Sequence, residues 1–360
     1  MGELRLMKGN EAIAEAAIRA GCDGYFGYPI TPQSEVLEYL MAEKPYETTG
    51  MVVLQAESEV AAINMLYGGA GTGKMVMTSS SSPGISLMQE GISYMAGTQL
   101  PALLVNIVRG GPGLGTIQPS QADYFQSVKG GGHGDYHIIV YAPASVQEMA
   151  DFVKLGFDAA FRYRTPVMIL SDGAIGQMME KVYLDDPIPR RSDEEVIAQC
   201  PWASTGRPMN REHNIITSLD LDPAGQERLN LRLQEKYREI EKKEVKFEML
   251  DCEDAEYLLV AFGLSARICQ KAMHLARDKG IKVGLFRPIT LFPFPKKEIR
   301  KLGEQVKGML VVEMNAGQMI EDVQLSAGCT IPIEHYGRFG GIIPTPDEVV
   351  RALEEKIIGG

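Results

Sequence analysis

The sequence has few cysteines, a single tryptophan, no long apolar run and no excess of positive charge. Each shortage closes off a class of protein. The five cysteines, Cys22, Cys200, Cys252, Cys269 and Cys329, are scattered over 360 residues with no C-x-x-C spacing. That pattern argues against a disulfide framework and against a cysteine-ligated iron–sulfur cluster within this chain. It fits a reduced, cytoplasmic compartment. No apolar stretch reaches the roughly 18 residues a membrane-spanning helix needs. Met1-Gly2-Glu3-Leu4-Arg5 does not read as a signal peptide. Lys and Arg number 36 against 47 Asp and Glu, a formal net charge of −11. Such a surface repels nucleic acid and anionic membrane, so neither is expected as a partner. No group of His, Cys, Asp or Glu has a convincing metal-ligand spacing, so no metal site is expected. What remains is an ordinary globular composition, 45% hydrophobic and 23% charged, long enough for two cores.

Through the first half, helix and strand signals alternate. Helices are expected over 11–19, 34–43, 58–67 and 84–96, and the capping box Ser145-Val-Gln-Glu148 opens another to about Arg162. Between them lie short strands at 24–28, 51–54, 74–78, 102–108, 137–141 and 166–170. The apolar strand 102–108 reads as covered on both faces. The rhythm predicts an α/β fold with an open parallel sheet and helices on both sides. From Asp185 to about Cys252 it lapses. Pro187, Pro189, Pro201, Pro208 and Pro223 interrupt it, Trp202 lies here, and a charged helix is expected over 226–247. This segment reads either as a structured linker lying across a neighbour or as a surface insertion. Strands resume at 257–261, 282–286, 309–313 and 331–335. Thr345-Pro-Asp-Glu348 supplies an N-cap, a first-position proline and an acidic third residue for a last helix. The expected division is residues 1–185, a linker over 186–252, and a smaller α/β unit over 253–360.

Several polar features stand at strand ends, where parallel α/β sheets bind ligands. Gly27-Tyr-Pro-Ile-Thr-Pro-Gln-Ser34 is a sharp loop opening a helix. Thr31 can cap a helix whose first residue is Pro32, and its hydroxyl and the turn backbone around Pro29 can also face a ligand. Gln55-Ala-Glu-Ser-Glu59 puts two carboxylates where a strand runs into a helix; taken alone, both simply suit a helix N-terminus. Arg109 ends the strand 102–108 and opens Gly110-Gly-Pro-Gly-Leu-Gly115. That position suits a two-pronged grip on a carboxylate, or a surface salt bridge. Thr78-Ser-Ser-Ser-Ser-Pro-Gly84, with Ser80 at its centre, is either a donor-rich pocket wall or a tight crossover. His133 lies in the glycine-rich loop 130–135 and is read as structural or exposed rather than as a proton shuttle. Gly68-Gly-Ala-Gly-Thr-Gly73-Lys74 imitates a nucleotide-binding P-loop, but Met75 replaces the hydroxyl residue. The segment also runs from helix to strand, so it reads as a helix-terminating turn.

In order and wording these motifs resemble the alpha chain of the 2-oxoacid:ferredoxin oxidoreductases, over nearly the whole chain. The resemblance implies a thiamine-diphosphate-binding fold, with a pyrimidine-binding domain over 1–185 and a transketolase C-terminal-like domain over 253–360. Aligned back from Gly68, the helix beginning Ser58-Glu59-Val-Ala-Ala selects Glu59 as the carboxylate against the cofactor's pyrimidine nitrogen. There it promotes formation of the nucleophilic thiazolium carbon. Glu57 is left as a helix-terminus acid. By the same resemblance Thr31 is catalytic and lies beside the 2-oxoacid, and Arg109 grips its carboxylate. Pro29 and Ser80 line the cofactor pocket.

The family's Mg²⁺-diphosphate seat, Gly-Asp-Gly with a later Asn, is missing. Ser171-Asp172-Gly173 comes nearest and lacks the Asn. The implied partners are therefore a beta subunit holding diphosphate and Mg²⁺, subunits carrying iron–sulfur clusters, ferredoxin and coenzyme A. The implied reaction converts a 2-oxoacid to acyl-CoA, CO₂ and reduced ferredoxin. Pro32-Gln-Ser-Glu35, Gly115-Thr-Ile-Gln-Pro119 and Arg287-Pro-Ile-Thr-Leu-Phe-Pro293 look most like the branched-chain, 2-oxoisovalerate type, with 2-oxoglutarate next. Glu313-Met-Asn-Ala-Gly-Gln318 and Tyr336-Gly-Arg-Phe-Gly-Gly341 also resemble the family and are read as structure and subunit contact. Two other readings stay open: a noncatalytic nucleotide-binding or scaffold subunit on the same sheets, and a transketolase-like half-chain.

Overall fold

The computed structural model describes residues 2–206 and 212–359; Pro208 lies outside the described residues. The chain opens with β1 (Glu3–Lys8). Strands β2 (Gly24–Gly27), β3 (Val52–Gln55), β4 (Val76–Ser80), β5 (Ala102–Val108), β6 (Ile139–Tyr141) and β7 (Pro166–Asp172) then alternate with helices, and β8 (Met179–Leu184) follows. Strands β2 to β7 lie in the order β6-β7-β5-β4-β2-β3, every neighbouring pair parallel. All seven residues of β5 and of β7 are buried, as strands covered by helices on both faces require. Because the strands are parallel, their carboxyl ends share one edge of the sheet.

The second half supplies β9 (Phe247–Leu250), β10 (Tyr257–Val260), β11 (Val283–Pro288), β12 (Thr290–Phe292), β13 (Gly308–Glu313) and β14 (Ile333–Gly337). Five of these form a second sheet in the order β14-β13-β10-β11-β9, with β9 antiparallel at its edge. The sixth, β12, crosses back and pairs antiparallel with β6, Thr290 opposite Tyr141, which makes the first sheet seven-stranded. A further two-stranded ribbon joins β1 to β8.

Several local expectations need correction. The charged helix runs over Pro223–Lys243, not 226–247. Asp222 accepts the Ala224 and Gly225 N–H groups at its start, with Pro223 in the first position. It stops short of Phe247 because Thr290 holds Lys246 by main chain and hydroxyl (3.0 and 2.9 Å), which extends the chain into β9. Thr31 caps no helix. That helix starts at Ser34, with Gln33 before it and no side-chain cap. The helix Glu59–Gly71 runs past Tyr67 through three glycines of the P-loop look-alike. A Cβ on Gly69 would stand 3.0 Å from Val76 Cγ1, so a small residue suits this close helix–sheet approach. Lys74, at the end of that segment, pairs with Asp193 at 2.6 Å. Among the described residues, no helix is long and apolar enough to cross a membrane.

The helix Pro223–Lys243 packs on the first half of its own chain through Leu233, Tyr237 and Ile240, with Tyr237 edge-on to His137. Lys236 is drawn under with them, and its Nζ donates to Arg164 O (3.0 Å) and Gln99 Oε1 (3.3 Å). Burial, reinforced by the Arg164 charge, pulls the Lys236 ammonium down to about 7. A folded-state value below the unfolded one means that the unfolded chain holds the extra proton between about pH 7 and the ordinary lysine value. Stability therefore rises with pH across that window, by at most about 1.4 kcal/mol per pH unit. In urea titrations at pH 7 and pH 9, the wild-type chain should gain stability relative to Lys236→Met. Equal gains in both proteins would show that Lys236 enters the fold without this penalty.

Candidate active site at the strand ends

The loops after β2, β3, β4 and β5 meet at the carboxyl edge of the first sheet. Glu59 starts its helix just past β3 and is buried, while Glu57 is exposed. The difference is local. Ser58 is the N-cap, its Oγ accepting the Ala61 N–H (3.2 Å) and donating to Glu57 Oε1 (2.9 Å), so Glu57 turns outward and Glu59 inward. Among the described residues, no hydrogen bond or ion pair reaches the Glu59 carboxylate. Beside it Ser80 is fully buried, and its Oγ has no hydrogen-bond partner. A Cβ added at Gly84 would collide with Ser80 Oγ and stand 2.7 Å from Glu59 Oε1. Gly84 thus packs directly against both the acid and the hydroxyl, where no larger side chain fits.

The loop after β2 is held from beneath. Ser79 Oγ meets Tyr25 Oη (2.7 Å) and donates to Gln33 Oε1 (2.6 Å), and Gln33 Nε2 donates to Tyr28 O (3.1 Å). This leaves Pro29 and Thr31 exposed at its tip, with a cis peptide between Thr31 and Pro32. Arg109, at the end of β5, is largely buried. It donates from Nη1 to Thr31 O (3.0 Å) and from Nη2 to Leu114 O (2.9 Å), while its Nε is buried without a partner. Of its five N–H donors, two hold loop carbonyls. Glu59 and Ser80 form one pair and Thr31 and Arg109 another, and the turn 80–84 lies between them: Ser82 Oγ accepts the Arg109 N–H at 3.1 Å.

Arg109 opens on a cleft of about 680 Å³ between the two sheets. The first half contributes Pro83, Arg109, Pro112 and Asp123 to its walls, and the second contributes Met314, Asn315 and Phe339, among others. The joint behind it is polar and tight. Gln121 donates to Phe262 O (2.8 Å) and accepts from Ser265 Oγ (2.7 Å) and Met314 N (3.0 Å), while Asn315 Nδ2 donates to Gln121 O (2.9 Å).

Sequence reasoning missed Asp123 and Asn106. Asn106 Nδ2 donates to Asp123 Oδ2 (2.9 Å), and Asn106 Oδ1 accepts the Ser82 N–H (3.1 Å). Burial pushes the Asp123 carboxyl above the usual carboxylate range, against hydrogen bonds from Asn106 and Ser82 that pull it back. One signal was available, since Asn106 is the only polar residue in the strand 102–108. Asn315, Gln318 and Phe339, expected to serve structure and subunit contact, line the cleft. His133 does not. It is exposed beside a separate depression with Tyr94 and Ser218. Among the described residues, no group of three or more His, Cys, Asp or Glu could hold a metal ion.

Residues 15–242 match the family described as pyruvate flavodoxin/ferredoxin oxidoreductase, thiamine diP-binding, and residues 255–349 match pyruvate:ferredoxin oxidoreductase core domain II. The ketoisovalerate oxidoreductase subunit VorB of Methanothermobacter marburgensis is 48% identical, over 98% of this chain and 97% of its own length. The 2-oxoglutarate synthase subunit KorA of the same organism is 35% identical, over 98% of this chain and 99% of its own length. Among solved structures, a 2-oxoglutarate:ferredoxin oxidoreductase from Magnetococcus marinus superposes with a TM-score of 0.84 at 26% identity. That match covers 98% of this chain, which spans 65% of the solved chain. A split-gene transketolase shares the fold, with a TM-score of 0.60 at 13% identity. With family matches across both halves and a relative similar over nearly its full length, the chain belongs to the 2-oxoacid:ferredoxin oxidoreductase subunits.

Proposed function

We propose that this chain is the alpha subunit of a thiamine-diphosphate-dependent oxidoreductase that converts a branched-chain 2-oxoacid, such as 2-oxoisovalerate, to its acyl-CoA. The observation that carries the reading is the buried, unpartnered Glu59 beside the unpartnered Ser80 hydroxyl, with Gly84 packed against both. These residues fit the pyrimidine end of the cofactor. Glu59 would hydrogen-bond the ring nitrogen. Ser80 and Pro29 would line the ring. The bound cofactor supplies the nucleophilic carbon and the electron sink for decarboxylation. The Thr31 hydroxyl, exposed on its turn, faces the 2-oxoacid. Arg109 offers its remaining donors to the carboxylate.

Two observations favour an apolar acyl tail over a second carboxylate. Arg109 is the only cation among the described residues that line the cleft, and Asp123 adds an acid. The VorB relatives, named for ketoisovalerate, are also more similar than the KorA relatives named for 2-oxoglutarate. A 2-oxoglutarate enzyme is the second reading.

The same reading assigns residues 1–185 to the pyrimidine-binding domain, 186–252 to a linker that lends β9 to the second sheet, and 253–360 to a transketolase C-terminal-like domain. A beta subunit would hold the diphosphate with Mg²⁺. Subunits with iron–sulfur clusters would pass electrons to ferredoxin, coenzyme A would take the acyl group, and the complex would be cytoplasmic. Exposed Val60, Met65, Leu87 and Tyr94, on the two helices that begin beside Glu59 and Gly84, suit a covering subunit.

The direct test is dye reduction by the purified native complex with a panel of 2-oxoacids and coenzyme A. Branched-chain acids should be oxidised fastest, and inactivity on every 2-oxoacid would overturn the reading. Glu59→Gln should assemble yet lose roughly 10²-fold or more in kcat, the scale of a positioned acid–base group. Glu57→Gln should stay near wild type. The reverse order would move the cofactor contact to Glu57. Arg109→Lys keeps the charge but not the planar fork. Steady-state rates should show kcat/KM falling together for all 2-oxoacids, with little change in coenzyme A dependence. Full activity on any one acid would remove Arg109 from the carboxylate.

A further inference from the structure

The acyl-selecting wall of the cleft need not come from the loop that carries Arg109. After β14 the chain turns through Arg338, Phe339, Gly340 and Gly341 before the last helix. Arg338 is anchored to Glu348 at 2.6 Å. Gly340 and Gly341 take φ values of 62° and 94°, in the left-handed region that favours glycine. The turn lies backbone to backbone on the Arg109 loop. A Cβ on Gly341 would collide with Gln118 Cβ, and a Cβ on Gly110 would stand 3.2 Å from Gly340 C and Gly341 N. Phe339 thereby lines the cleft that holds Arg109, together with Gly111, Pro112 and Gly113, and remains 59% exposed.

We propose that Phe339 is a specificity-determining residue: the second sheet supplies the aromatic wall that reads the size of the acyl tail, while the first sheet supplies the charge that holds the carboxylate. The inference rests on the function proposed above. A 2-oxoacid held at Arg109 extends its tail into a cleft whose other surfaces include Pro83, Pro112, Met314 and Ala316, all apolar. Of the side chains there, the Phe339 ring is the largest and among the most exposed, so it sets the width that remains. Because its turn rests on the Arg109 loop, the carboxylate grip and the wall share one support. The ring acts on size and leaves the shared carboxylate untouched.

The test uses the native complex carrying Phe339→Ala or Phe339→Trp, with kcat/KM measured for pyruvate, 2-oxoisovalerate and phenylpyruvate. Phe339→Ala widens the cleft and should raise the ratio of phenylpyruvate to 2-oxoisovalerate about tenfold, the low end of what a small change in pocket volume achieves. Phe339→Trp narrows it and should raise the ratio of pyruvate to 2-oxoisovalerate by a similar factor. The KM for coenzyme A should not move in either variant. Ratios that stay constant, or three acids that rise or fall together, would overturn the assignment while leaving the proposed function standing. A wild-type complex that oxidises none of the three acids would overturn both. If the alanine variant does not assemble, the tryptophan variant decides by its own ratio.

Discussion

One guanidinium ties the loops of the site together. Arg109 bonds to Thr31 O on one side and Leu114 O on the other, and Ser82 Oγ meets both its N–H and its C=O. The loops after β2, β4 and β5 are thereby joined through a single residue. Hydrogen bonds from a charged donor contribute about 1.5–3 kcal/mol each. The glycine-rich loop closes on itself through Thr116 N–H to Gly110 O (2.7 Å) and Gly110 N–H to Gln118 O (3.0 Å), and the Arg109 side chain ties it to the turn after β2. The same residue also carries a cost. Its buried Nε has no acceptor, and leaving a buried donor unmade costs about 1–3 kcal/mol. The loops are therefore joined by a cation that is itself one acceptor short.

That clasp would be of little use if the two sheets could move apart. The segment after the Arg109 loop prevents this. Gln121 sits fully inside the joint and bonds to main chain near the ends of both β10 and β13, and its own carbonyl accepts from Asn315. Tyr124 Oη adds a bond to Asp322 at 2.6 Å, and Lys129 pairs with the same carboxylate. A buried polar network of this kind is strong only when nearly every member is satisfied, and here the amide of Gln121 uses both its donor and its acceptor end. The strand β12, inserted into the first sheet from the second half, adds a covalent tie in the same direction. Polar groups and chain path thus both join the two halves behind the cleft.

The parallel core was legible because each of its strands is a short apolar run bounded by turn residues and followed by a helix signal. β4, β5 and β7 fall where expected to within two or three residues. The antiparallel additions were not legible. β9 and β12 are four and three residues long, and each exists through a partner elsewhere in the chain, so no local period reveals them. β1 and β8 pair across most of the first half, and the few residues they bury, Met7, Val182 and Leu184, leave a broken alternation. At the site, Glu59, Ser80, Thr31 and Arg109 could be singled out because motif order placed them at strand ends. Asp123 could not. Its importance arises from Asn106, seventeen residues earlier on a buried strand, a relation that appears only once the strand and the loop are stacked. Of the two roles open to Thr31, the cap is not taken up: Pro32 resembles a first helical position, but Gln33 ties the loop to Ser79 and the helix starts at Ser34.

The condition of Glu59 bears on why such a chain would work as part of an assembly. Glu59 is a buried residue whose carboxylate has no hydrogen-bond or ion-pair partner among the described residues. Its place in the first turn of a helix suits a negative charge. The Ser80 hydroxyl next to it is fully buried and also lacks a partner. A larger side chain at position 84 is no remedy, because its Cβ would collide with the Ser80 hydroxyl. The pair stays unpartnered, and the helix surfaces flanking it are apolar and exposed. Both facts have one explanation if the missing hydrogen-bond partner and the missing cover arrive together, one from the cofactor and the other from the subunit that holds the rest of it.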